Sequence, residues 1–514
     1  VDTIEHLAAV ADANRDRPFY FDAPSGRQYT HGAFHALARA FGRRLRAAGA
    51  EPGDRIGAAL PNGPELAALY LGCLYEGLVA VPVQPVQGPA DIRYILDLVG
   101  AAVVVHTPET TGLLPPPGDG PSRRLCVHPH GPAGGTQPDS SGWVAADDGG
   151  PSGGARPRAG NPFVITFTSG TTSRPKGVCH TVGSLLGAAA AFNAAHGIGP
   201  DHRFLHVLNM GYMAGLLNTL LCPLLAGGSV VVGEPFGPQT ALRFWDHPRR
   251  FGVNTLWLVP TICAALLRLD RDPDGPAFAR ANVRLACVGT APLGGALRTE
   301  FERKYGIPLL ESYGLSEVLF VAANRPDGVR QPGSVGPPLD GVRVRAVDDG
   351  ENVIDGEGEL EVATPFAMAG YLDPSTGRPT PPPLWFRTGD LGTIDPDGNL
   401  FITGRKKDLI IRGGINVSPR AVEEALCEHP AVADAAVVGV PHEFYGEEVV
   451  AFVQLRAGAW PDLQAGLAAH CRPRLSPAAV PSRFVVAAEL PRNSVGKVLK
   501  GDLKARLARQ EGTG

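Results

Sequence analysis

The chain predicts an α/β fold continued by a smaller α+β unit, and three observations carry the prediction. Up to about residue 290, helical patterns roughly a dozen residues long alternate with short apolar strands, the mark of crossover units and largely parallel sheet. From 333 to 402 short strands such as "GVRVRAV", "GEGELEVAT" and "GNLFITG" are punctuated by glycine and aspartate turns, which predicts a small twisted, barrel-like unit. The remaining residues read helix, strand, strand, helix, strand, helix, a compact α+β domain of about a hundred residues. The expected organisation is a large N-terminal domain of several subdomains and mixed sheets over 1–403, a turn-rich seam "GRKKD" at 404–408, and a small domain over 409–514.

The elements follow in order. Residues 33–50 form an amphipathic pattern ended by glycine, and "DRIGAAL" (54–60) reads as a strand. Residues 64–83 and 92–107 each give helix then strand. Residues 109–161 are rich in glycine and proline, broken by the strand candidate "RLCVH", and read as exposed loop. The alternation resumes with helix 181–197, strand 227–233, helix 240–252, strand 253–260, helix 261–269 and strand 283–289. In the small domain "AVEEALCEHP" is a helix, "VADAAVVGVP" and "EEVVAFVQLR" are strands, "LQAGLAAHCRPRL" is a helix and "RFVVAA" a strand.

Composition bounds the function. With 44% hydrophobic and 19% charged residues and a net charge of −4, nothing in the balance points to nucleic acid or an anionic bilayer. No apolar run is long enough to span a membrane uninterrupted. The start, "VDTIEHLAAV", lacks the basic flank and apolar core of a secretion signal. The eight cysteines are scattered singly, so a reduced, cytoplasmic protein without a cysteine metal site is expected. Arginine supplies most of the basic charge, and the lysines are confined to Lys176, Lys304, Lys406, Lys407, Lys497, Lys500 and Lys504. A compact ammonium does what a planar guanidinium does not, so each of these positions invites a question.

The run "ITFTSGTTSRPKGV" (165–178) has the chemistry of a phosphate cradle. Exposed backbone N–H groups converge where glycine leaves room. Thr168, Ser169, Thr171, Thr172 and Ser173 add hydroxyls, Gly170 and Gly177 relieve crowding, and Lys176 can partner a polyphosphate. A Walker-type loop would continue lysine with serine or threonine, whereas glycine follows Lys176. From composition alone, a flexible polar surface loop is an equal alternative.

The run resembles the phosphate-binding signature of the adenylate-forming superfamily, which contains acyl-CoA synthetases, aryl-CoA ligases, nonribosomal adenylation domains and luciferases. Five further blocks follow in that family's order: "GTAPLGG" (289–295), "ESYGLSE" (311–317), "WFRTGDLG" (385–392), "GRKKDLIIRGGINVSP" (404–419) and "PRNSVGK" (491–497). The resemblance implies ATP, Mg2+ and coenzyme A as the small molecules handled. It assigns Tyr313 and Gly314 to adenine, Ser316 to the α-phosphate and Glu317 to magnesium. Asp390 and Arg405 are assigned to the ribose, and Lys497 is the catalytic cation. Each assignment has a chemical basis: a flat ring for a purine, a hard oxygen for magnesium, an acceptor-only carboxylate for two hydroxyls, and an ammonium for charge developing at the α-phosphate. Lys497 lies in the small domain, so that domain must move. Lys407 stands at the family's hinge position, and Gly413 and Gly414 can let a pantetheine thiol lie against the backbone. A tight hairpin turn is the plain alternative for the two glycines.

Two departures bear on the acid. Where relatives place a histidine before the acyl pocket, "VLNMGYMAGL" (207–216) puts Tyr212, and Val182 replaces a second family histidine. Tyr212 retains a wall and one donor without an imidazole's titration. Between 204 and 232 there is no aspartate or glutamate, so an amino acid's ammonium would be buried unpaired. A non-amino acid, fatty or aryl, is expected, with Tyr212, Gly215, Gly289, Thr290 and Ala291 around the acyl group. Met210, Met213 and Trp257 are read either as an apolar cavity or as core.

The expected reaction is ATP-dependent formation of an acyl-adenylate with release of pyrophosphate, then transfer to CoA. Alternatives are transfer to the pantetheine of a separate carrier protein or to an amine, and a catalytically silent nucleotide-binding protein. Glu317 and Lys497, both present, argue against the last.

Overall fold

The computed structural model describes residues 3–84, 87–115, 123–127, 157–168, 175–458, 460, 462–492 and 497–511. Two eight-stranded sheets dominate. In the first the order is Leu319–Ala323, Leu310–Leu315, Leu285–Val288, Thr255–Leu258, Arg203–His206, Ser229–Val232, Pro18–Asp22, Arg27–Thr30. Its central strands are parallel and each outer pair is antiparallel. The second runs Pro379–Thr380, Gly370–Leu372, Lys176–Thr181, Pro162–Thr168, Val79–Pro82, Arg55–Ala59, Val103–His106, Arg123–Cys126.

Local chemistry sets the helices packed on these sheets. Thr30 caps His31–Ala47 by accepting from the Ala33 N–H at 3.2 Å. Pro64–Glu76 opens on proline and ends where Gly77 turns left-handed at φ 66°. Thr181 and Ser184 form a reciprocal capping box at the head of Val182–His196. These three helices bury their apolar residues in one continuous core that also holds inward residues of both large sheets, among them Phe163, Val164, Phe204 and Trp257. Removing a buried leucine such as Leu69 from that core would cost about 2–5 kcal/mol. The helix expected at 240–252 is two short ones, Pro238–Leu242 and Asp246–Phe251.

The twisted unit expected after 333 is an open antiparallel sheet, ordered Val353–Ile354, Arg343–Val347, Gly358–Ala363, Phe386–Ile394, Leu400–Arg405. Among the described residues it does not close into a barrel, because its outermost strands pair with one neighbour each. The last unit is a five-stranded sheet in which the long hairpin Val432–His442 and Gly446–Leu455 is flanked by Ile410–Arg412, Ile415–Val417 and Arg483–Val486. Helices Pro419–Cys427, Leu463–Cys471 and Lys500–Glu511 cover it, with apolar clusters of its own. The eight cysteines are free thiols, and among the described residues no helix is long and apolar enough to cross a membrane.

Candidate active site

The phosphate run bridges two paired strands. Thr168 and Lys176 are opposite one another in the register of Pro162–Thr168 and Lys176–Thr181, so the two ends of the run stand side by side. Ser169, Gly170, Thr171, Thr172 and Ser173 lie outside the described residues. His180, buried in the returning strand, bonds through Nε2 to the Ser316 carbonyl at 2.6 Å. That carbonyl can only accept, so the ring nitrogen donates, and burial pushes the histidine down to about 4, keeping it neutral. The phosphate hairpin is thereby tied to the "SYGLSE" block.

That block bends where it is needed. A Cβ on Gly314 would stand 2.2 Å from the Leu319 carbonyl oxygen, and the antiparallel pair slips register between Tyr313 and Gly314. The Tyr313 phenol donates to Asp390 Oδ2 at 2.7 Å, and Arg405 Nε meets Asp390 Oδ1 at 2.7 Å. Asp390 and Arg405 are cross-strand partners. Burial and the Asp390 charge raise the Tyr313 phenol well above its usual range, so it stays a donor. Three of the four residues expected at the nucleoside are thus one hydrogen-bonded group drawn from two sheets.

Lys497 comes to this group from the small domain. Burial lowers its ammonium to about 8, Arg405 and Lys407 push in the same direction, and Asp408 and Asp390 oppose them. Those neighbours come from the paired strands Phe386–Ile394 and Leu400–Arg405 and from the turn that follows them. Lys407 is exposed in the 3₁₀ turn Lys406–Asp408. The preceding Lys406 is anchored to Asp349 at 2.8 Å and Glu359 at 3.2 Å. Gly413 and Gly414 make the two-residue turn between Ile410–Arg412 and Ile415–Val417, both with positive φ, 59° and 80°.

The residues expected around the acyl group follow the carboxyl ends of two parallel strands, Arg203–His206 and Leu285–Val288, the end of such sheets at which ligands bind. Gly289, Thr290 and Ala291 follow Leu285–Val288, and a Cβ on Gly289 would lie 2.8 Å from Ser312 Oγ. Thr290 holds φ at 70°, a strained value for a residue with a side chain. Tyr212 precedes Ala214–Leu221, a π-helical stretch of a kind that recurs at functional sites. Gly215 is demanded by backbone packing, since a Cβ there would meet the Asn209 carbonyl oxygen at 2.1 Å. Met210 and Trp257, at 0% and 2% exposure, are core; Trp257 packs on Phe192 and Phe320 at 5.0 and 5.6 Å.

Glu317 fits a magnesium carboxylate. Its Oε1 accepts from the Tyr371 phenol at 2.8 Å, and among the described residues Oε2 makes no hydrogen bond. Mg2+ commonly takes one or two protein carboxylates and fills its shell with phosphate oxygens and water, so a single glutamate meets the demand on the protein side. Sequence reasoning missed Tyr371, His180 and Lys406. Only the lysine carried a signal, its rarity.

Comparison with known proteins places the chain in a family. The model of the AMP-binding enzyme family matches residues 7–372, and that of the AMP-binding enzyme C-terminal domain matches residues 421–497. The chain belongs to the AMP-binding enzymes, the adenylate-forming superfamily. It is 37% identical over 511 residues to a sulfoacetate–CoA ligase of Cupriavidus necator, covering 97% of this chain and 96% of that protein. It is 29% identical to a malonate–CoA ligase of Arabidopsis thaliana, covering 90% and 79%. Among solved structures, ATP-bound MatB from Rhodopseudomonas palustris superposes with a TM-score of 0.86 at 28% identity, covering 98% of this chain and 99% of that one.

Proposed function

We propose that the protein is an AMP-forming carboxylate:CoA ligase acting on a non-amino carboxylic acid. In the first half-reaction a carboxylate oxygen attacks the α-phosphorus of ATP, the bond to the bridging oxygen breaks, and pyrophosphate leaves with its electron pair. In the second, the CoA thiolate attacks the acyl carbon, AMP departs and the thiol proton is released. The observation that carries the reading is the bonded group Tyr313, Asp390 and Arg405 with Lys497 brought against it from another domain.

In this reading Asp390 and Arg405 hold the ribose, and Tyr313 and Gly314 pack the adenine. Thr168, Lys176 and the run between them hold the phosphates, with Ser316 at the α-phosphate. Lys497 stabilises charge that grows as two anions are brought together. Mg2+, held by Glu317, would supply further positive charge to the phosphate oxygens. Tyr212, Gly215, Gly289, Thr290 and Ala291 border the acyl group, and Gly413 and Gly414 border the pantetheine arm. Lys407, in a seam at 404–408 between domains 1–403 and 409–514, is the pivot between adenylating and thiol-transferring orientations. The compartment proposed is the cytoplasm.

The absence of acids from 204 to 232 supports a non-amino acid. The test is a pyrophosphate-release screen over fatty, aryl and short dicarboxylic or sulfonated acids, repeated with CoA and with carrier proteins as acceptors. Turnover of at least one such acid with CoA-dependent thioester formation is expected. Release of pyrophosphate with amino acids alone, or a carrier protein as the exclusive acceptor, would overturn it.

A further inference from the structure

Tyr371 has no role in the reading above, yet it stands between two of its main charges. The segment before it already grips Glu317, whose backbone carbonyl accepts from the Met368 N–H at 2.7 Å. The strand Gly370–Leu372 then runs antiparallel to the strand that begins at Lys176, with Tyr371 opposite Val178. On the strand's other side Pro379–Thr380 pairs closely, and Gly370 makes that possible: its φ is 147°, and a Cβ would strike the Thr380 carbonyl oxygen at 2.0 Å. Tyr371 is left half-buried with its two ends occupied differently. Its hydroxyl donates to Glu317 Oε1 at 2.8 Å, and its ring lies beneath the Lys176 ammonium, with Nζ 5.4 Å from the centroid.

Each contact constrains a flexible group. A glutamate side chain has three rotatable bonds, and a hydrogen bond to one oxygen fixes which way the other points. An ammonium over an aromatic face is attracted to it while its N–H groups remain available. In the hydrogen bond the phenol O–H donates and the carboxylate oxygen accepts.

We propose that Tyr371 is a positioning residue that couples the metal carboxylate to the phosphate lysine. Its hydroxyl orients Glu317 so that Oε2 faces the cation, and its ring holds Lys176 over the polyphosphate. The inference rests on the reading of Glu317 as the magnesium carboxylate. It divides one side chain into two separable functions. Tyr371→Phe removes the first and keeps the second; Tyr371→Leu removes both.

The test is binding rather than turnover. Mn2+ is titrated by electron paramagnetic resonance into the full-length protein saturated with α,β-methylene-ATP, and the analogue's own affinity is measured by calorimetry in EDTA. Y371F is expected to weaken Mn2+ about tenfold, in the range typical for an outer-shell partner of a metal ligand, with metal-free analogue affinity unchanged. Y371L is expected to weaken the metal-free affinity by a further factor of about two to five. In a Glu317→Gln background, Y371F should add no further loss of Mn2+ affinity, a non-additivity that general loosening of the fold would not produce. Wild-type Mn2+ affinity in Y371F, with E317Q impaired, would overturn the proposal and leave the role of Glu317 standing. Wild-type affinity in E317Q would overturn the reading of Glu317 and the proposal with it.

Discussion

The lowered ammonium of Lys497 makes a prediction that can be worked through from its surroundings. Burial, Arg405 and Lys407 bring it from 10.5 to about 8 in the free enzyme. Only the protonated form can stabilise the charge that develops at the α-phosphate. With a midpoint near 8, about nine-tenths of the enzyme is competent at pH 7 and just under one-tenth at pH 9, so kcat/KM for ATP should fall roughly tenfold between them. The bound triphosphate adds negative charge beside the ammonium and raises its pKa, so kcat should stay flat to higher pH than kcat/KM does. Continuous pyrophosphate release from pH 6.5 to 9.5 at saturating acid measures both. Lys497→Arg is the control, because a guanidinium stays charged throughout and its residual rate should lack the limb. A wild-type kcat/KM that is flat to pH 9.5, or the same limb in K497R, would refute the reasoning. The sign for stability is opposite. Between about 8 and 10.5 the unfolded chain holds a proton on this lysine that the folded chain has released, so this group's contribution to stability rises with pH across that window.

Four further outcomes follow from the same geometry. Lys497→Ala should cut pyrophosphate release about a hundred- to a thousandfold while calorimetry finds ATP binding largely intact; near-wild-type release would remove the lysine from the chemistry. Asp390→Asn removes the charge that pairs with Arg405 and leaves one acceptor oxygen where Arg405 and Tyr313 each use one, so KM for ATP should rise at least about tenfold, and an unchanged KM would show that the ribose lies elsewhere. Lys407→Pro fixes φ and removes a donor at the proposed pivot; acyl-AMP formation in a single turnover should survive better than consumption of supplied acyl-AMP on adding CoA, and full retention of both steps would count against a pivot there. Matched acids with and without an α-amino group, such as phenylpropanoate and phenylalanine, should differ more than about a hundredfold in kcat/KM in favour of the former, and equal turnover would return the enzyme to the amino-acid-adenylating branch.

What the sequence reveals here depends on how far apart the partners lie along the chain. The strands and helices of both large sheets are legible because each is decided within a dozen residues, by periodicity, caps and glycines such as Gly77 and Gly197. The site blocks are legible for the same reason, since "SYGLSE" and "WFRTGDLG" each compress several functional groups into a few positions. Their assembly is not. Tyr313 and Asp390 are 77 residues apart, Glu317 and Tyr371 are 54 apart, and His180 reaches Ser316 across 136. No local pattern distinguishes Tyr371 from the chain's other tyrosines; only the strand that carries it past Lys176 does. Trp257 shows the reverse difficulty. A large aromatic beside an expected pocket suits a wall or a core equally well until packing decides, and the rings of Phe192 and Phe320 close around it. The small domain is the instructive case, because Lys497 is a basic residue near a basic tail until Arg405 and Lys407 are set beside it. Its altered proton affinity belongs to the meeting of two domains, so a variant that held them apart would be expected to return it toward 10.5 without changing a single neighbour in sequence.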